Sequence, residues 1–194
     1  QRRAKSALPG TGKRGEPGVL DISRRNAATL VQSSVQTVAN DARLASFRAN
    51  SDIIKGVQQV STLDSHTSTI CIAYSGAEWD LDGNPINGAP PFNGGPPRHF
   101  NCRSVLTPVT RSFRELGIDR PDFKPTTRAS KDGQIAADTT FDAFLDRQSK
   151  AFQDEMLGKG RADLYRSGKI TLRDLVSGTG RPLTLEQLRK QAGE

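Results

Sequence analysis

The chain has 194 residues and a formal net charge of +7, so it can carry one compact domain with tails, or at most two small ones. Its mean hydropathy of -0.57 leaves a modest core. No stretch approaches the ~20 apolar residues of a membrane helix, and no secretory signal is expected. Two cysteines, Cys71 and Cys102, exclude a disulfide scaffold and fit synthesis in a reducing compartment, with a single bridge between them left open.

Residues 1–20 predict a flexible basic arm. Arg2, Arg3, Lys5, Lys13 and Arg14 sit among prolines and glycines, a mixture that buries too little apolar surface to offset chain entropy. Such an arm can contact nucleic-acid phosphates or an acidic protein, or it can be a solvated tail. Asp21 is placed to N-cap a long helix over 22–49. In it Ala27, Val31, Val35, Val38, Ala42 and Ala45 recur at three- and four-residue steps, which predicts a buried stripe. Arg24, Arg25, Gln32, Gln36, Arg43 and Arg48 are expected to face water.

A strand is expected over 57–63. Thr67 or Ser68 then caps a short helix through Tyr74, ended by Gly76 in a left-handed conformation. A short strand over 77–79 precedes the loop 80–97, dense in Gly, Pro, Asn and Asp, and a further strand covers 103–109. Ser112 and Glu115 form a candidate capping box for another short helix. Residues 117–139 read as an irregular linker, and 140–194 as a helical extension with helices over 141–147, 149–157, 159–167 and 184–191. Phe141, Phe144, Leu145, Phe152, Met156 and Leu157 can form one apolar stripe there, folding back or docking elsewhere.

Three segments resemble the phage Mu F-like minor head protein family. The first is AATLVQSSVQTVANDARLASFRAN with the following GVQQVSTLD. The second is the central LD-x-x-TS-x-x-C, then Gly76, then PP-x-H-x-N-CR, which uses Asp64, Thr67, Cys71, Gly76, Pro97, His99, Asn101, Cys102 and Arg103. The third is FLDRQSKAFQDEMLGKGRADLYRSGKITLRDLV followed by GRPLTLEQLR. Together they span about residues 22–190 in family order, and residues 21–116 would be the Mu F-like core. The chain departs from the family at Gln32, Ser33 and Ser34, where members often carry Arg-Thr-Glu. It departs again at Ser68 and Ser104, which stand in place of further cysteines. The resemblance implies a low-copy component of the capsid or portal region, made in the bacterial cytoplasm and carried in the virion head. It would act in head morphogenesis, DNA packaging or ejection, with portal or capsid proteins as partners.

The central residues admit several chemistries. His99-x-x-Cys102 with Cys71, and His66 or Asp64 as a fourth ligand, would suit structural zinc. Alternatively, Cys71 and Cys102 are small buried hydrophobes beside a hydrogen-bonded network of Asp64, Thr67, His99 and Arg103. A Cys71–His99 pair could supply a nucleophile, or His99, Asn101 and Asp64 a divalent ion for phosphodiester cleavage. Arg103 is expected to anchor a carboxylate or a helix end. The function expected is structural, with no catalytic residues and no cofactor beyond the zinc alternative. The competing readings are a virion-associated enzyme or toxin (nuclease or transferase) and a non-specific nucleic-acid-binding module. The expected fold is α+β: a long N-terminal helix on a small, mostly antiparallel sheet, with a helical C-terminal extension.

Overall fold

The protein is described by a computed structural model covering residues 19–123 and 126–193. Arg2, Arg3, Lys5, Lys13 and Arg14 of the expected basic arm lie outside the described residues. The fold is α+β. Helix α1 (Val19–Ala49) is followed by strand β1 (Ile54–Val60), helix α2 (Thr69–Tyr74) and strands β2 (Glu78–Asp80), β3 (Pro85–Ile86) and β4 (Val105–Thr110). These strands form an antiparallel sheet in the order β3-β2-β1-β4. β1 is an inner strand, and Val57 and Gln59, two residues apart and so on one face of the sheet, are both fully enclosed. Gly56 is required next to them, since a Cβ there would lie 2.5 Å from the Trp79 carbonyl oxygen.

Helix α1 differs from its expected form in two ways. It begins upstream of Asp21, which is therefore inside the helix and not its cap. Its apolar stripe also faces outward: Val31, Val35 and Val38 are 62%, 63% and 68% exposed, and Ala27, Ala42 and Ala45 are exposed as well. The packed face is the opposite one, with Thr29, Ser33, Gln36, Asn40, Leu44 and Phe47. The reason is the strand edge it covers. β4 ends the sheet, so its outer backbone groups need polar partners. Asn40 Oδ1 accepts from the Leu106 N–H at 3.2 Å, and Gln36 Nε2 donates to the Ser104 carbonyl at 2.7 Å. Gln36, expected to face water, is thus part of the contact.

The stretch 117–139 is not irregular throughout. Strands β5 (Thr127–Ser130) and β6 (Gly133–Ala136) form a hairpin. It docks on Leu63, whose N–H donates to the Ala129 carbonyl at 3.2 Å and whose carbonyl accepts from Lys131 N at 2.9 Å. Ser112 and Glu115 make both reciprocal capping bonds, at 2.6 and 3.1 Å, but these close a turn and not a helix. Helices α3 (Phe141–Leu145), α4 (Lys150–Leu157), α5 (Lys159–Arg166) and α6 (Leu185–Gln191) follow, with a 3-10 turn at Arg173–Leu175. Thr140 caps α3 and Thr184 with Gln187 forms a capping box for α6, while Ser149, expected as the first residue of the 149–157 helix, stands just outside α4 as its N-cap. The stripe of Phe141, Phe144, Leu145, Met156 and Leu157 folds back into one buried cluster that runs from Val57 to Leu188. No helix among the described residues is long and apolar enough to cross a membrane.

Candidate functional site

The signature residues meet where the β1–α2 connection faces the return into β4. Asp64 organises the first side. Its Oδ1 accepts from the His66 N–H at 3.0 Å, the Asx turn that lets a short loop reverse. Thr67 Oγ1 donates to the Thr62 carbonyl at 2.6 Å and lies 3.2 Å from Asp64 Oδ1. Ser68 then caps α2 by accepting from the Cys71 N–H, which places Cys71 in the first turn. Gly76, at φ 76°, ends that helix in the left-handed region as expected.

The second side is the turn 99–102, closed by Cys102 N–H donating to the His99 carbonyl at 3.2 Å. Asn101 adopts φ 58°, a left-handed conformation that Asn tolerates better than most residues. Its N–H reaches Ser33 Oγ at 3.3 Å and its amide reaches Thr29 Oγ1 at 3.4 Å, which pins the turn to α1. Arg103 clamps the two sides together. Its guanidinium donates two bonds to the Asp64 carboxylate, at 2.7 and 2.6 Å. Hydrogen bonding from Arg103 holds the Asp64 carboxyl below its ordinary pKa, and the same bond raises that of Arg103.

Inside this clamp Cys71, His99 and Cys102 converge. Cys71 Sγ lies 3.6 Å from Cys102 Sγ and 3.3 Å from His99 Nε2, and both cysteines are buried and free. His99 Nδ1 donates to the Phe100 carbonyl at 2.8 Å. That bond fixes the proton on Nδ1 and leaves Nε2 a bare acceptor, facing the thiols and the Ser68 hydroxyl 2.8 Å away. The hydrogen bond between the two thiols, with burial, pushes Cys71 up, and the same bond pulls Cys102 down.

Among the sequence candidates, His66 stands apart: its Nδ1 faces Ser65 Oγ at 3.3 Å, and it is not within the ligand-forming group. The trio His99, Asn101 and Asp64 is not brought together either, because Asp64 is held by Arg103 and Asn101 by α1. His99 joins the thiols instead of the Asp64–Thr67–Arg103 network. Sequence reasoning also missed Arg98. Its guanidinium carbon lies 3.4 Å from the centre of the Tyr74 ring, its Nε donates to Gln59 Oε1 at 2.6 Å, and burial draws its pKa down to about 10. Its side-chain partners lie 24 and 39 positions away in the chain, and its nearer partner is the Phe92 backbone carbonyl, so no residue spacing marks it.

No family model, curated protein or solved structure matches this chain.

Proposed function

We propose that this chain is a structural minor head protein of a tailed phage, docking on a portal or capsid protein during head morphogenesis, DNA packaging or ejection. The observation that carries the reading is the outward face of α1. A monomer gains nothing from a row of valines and alanines turned to water on the side of a helix opposite its packed face. An assembly component gains a contact surface there. The resemblance of the motif residues to the Mu F-like family supplies the kind of assembly. Residues of that motif serve the same end in the fold: Asp64, Thr67 and Arg103 clamp the domain, and Asn101 holds α1 on it.

The test is a Val35→Asp/Val38→Asp chain expressed with the portal and capsid proteins of its own genome. Both side chains are mostly exposed, so the isolated variant should melt within ~0.5 kcal/mol of the parent. Purified heads should contain the parent chain and lack the variant. Heads that incorporate both equally would reject the α1 surface, and heads lacking the parent chain would reject the function.

A further inference from the structure

The geometry points to a metal site: Cys71, Cys102 and His99 bind one zinc ion through two thiolates and Nε2, with water as the fourth ligand. A tetrahedral zinc with its usual bond lengths sets its ligand atoms ~3.8 Å apart for two sulfurs and ~3.6 Å for sulfur and nitrogen. The observed separations are 3.6 and 3.3 Å, and the three ligand atoms all lie within 4.8 Å of one another. Small outward shifts of these side chains therefore admit the ion.

Two further features fit this use. The bond from His99 Nδ1 to the Phe100 carbonyl is the outer contact that orients an imidazole ligand and leaves its other nitrogen free for a metal. A hollow of ≈ 10 Å³ opens at the same place, lined by Ser68, Cys71, His99 and Asn101 among others, enough for about one water. Ser68, which now hydrogen-bonds to Nε2, would turn to that water. The donor set selects the metal: two thiolates and an imidazole suit zinc and disfavour magnesium and calcium. Two thiolates also cancel the ion's charge, so the buried site stays neutral. The ion would join α2 to the turn before β4, beside the Asp64–Arg103 clamp. This inference does not depend on the head-protein reading.

Cobalt(II) is the probe, added to the reduced full-length protein. One ion per chain is expected, with a thiolate-to-cobalt charge-transfer band and the visible bands of a tetrahedral centre, both abolished by zinc. Cys102→Ser should weaken the charge-transfer band and His99→Ala should change the visible bands, while His66→Ala should leave both intact. Zinc-edge X-ray absorption on the parent protein needs no variant. It should show two sulfur neighbours at ~2.3 Å. A folded, reduced protein that gives no thiolate band overturns the proposal. So does a zinc shell of nitrogen and oxygen alone, or a protein whose two thiols are isolated as a disulfide and take up no cobalt after reduction.

Discussion

Asp64 and Arg103 show what one ion pair contributes when it closes a loop as well as balancing charge. The pair is bidentate and Arg103 also reaches Thr67 Oγ1 at 3.4 Å, so a single guanidinium holds two residues of the β1–α2 connection. The Arg103 side chain is 40% exposed, and solvent screening keeps the pair to ~1 kcal/mol at neutral pH. Because the Asp64 pKa is lowered in the folded protein, that contribution is complete above the ordinary carboxylate pKa of about 3.9 and fades as pH falls through the lower folded value. Asp64→Asn should thus cost ~1 kcal/mol at neutral pH and progressively less in acid. Urea melts across that range would show it; a cost that grows on acidification contradicts the assignment. The pairing of Arg103 with a carboxylate was legible in the sequence, as was the meeting of Cys71, His99 and Cys102, because these residues flank two turns whose breakers are plain. Arg98 and Arg128 were not. Arg128 donates to the Ser61 and Thr139 carbonyls, and backbone acceptors leave no trace in residue spacing.

Helix α1 shows that periodicity reveals which face of a helix is apolar but not which way it points. The usual inference that the apolar face is the packed one fails here because polar Gln36 and Asn40 meet the outer edge of β4, and only Leu44 and Phe47 further along the helix pack on the core. Asn40 is the clearest case. It is a polar residue at 1% exposure, held by donating to the Gln36 carbonyl at 3.1 Å and accepting from Leu106. Asn40→Ala would leave the Leu106 N–H buried without a partner, a loss of ~1–3 kcal/mol. Gln32→Ala, on the exposed side, should change stability by no more than ~0.5 kcal/mol. Chemical denaturation of the two variants ranks the faces directly, and equal effects would mean that Asn40 is not part of the packed seam. The β5–β6 hairpin was illegible for a related reason. Its strands, TRAS and GQIA, have four residues each and only Ile135 as a large apolar side chain, so the alternation that marks a strand has too few positions to register. Helix caps are the opposite: Thr140, Ser149 and Thr184 each accept from a backbone N–H three residues on, so the start of each helix is marked locally to within a residue.

Across the whole molecule, the C-terminal helices complete the core and do not merely follow it. Buried residues run without a break from Val57 and Trp79 through Phe141, Leu145 and Leu157 to Leu175 and Leu188. Helix α2 packs against the 3-10 turn at Arg173–Leu175, and Asn93 Nδ2 donates to the Thr179 carbonyl at 3.1 Å. Tyr74 faces the same segment, where a Cβ on Gly180 would collide with its hydroxyl. The sequence showed helices and an apolar stripe in this region but could not say whether that stripe folds back, since composition alone suits either outcome. Burial decides it. Removing residues 140–194 takes away the large buried side chains Phe141, Phe144, Leu145, Met156, Leu157, Leu164, Ile170, Leu172, Leu175 and Leu188, each contributing ~1.5–3 kcal/mol. It also exposes the apolar surface of α2 that they cover. That sum is comparable to or larger than the ~5–15 kcal/mol by which domains of this size are stable. A chain ending at residue 139 should therefore show no cooperative thermal transition and should bind a hydrophobic dye at room temperature. If it melts cooperatively near the parent's temperature, the C-terminal helices are an appendage, and their loss from heads would then report docking and not folding.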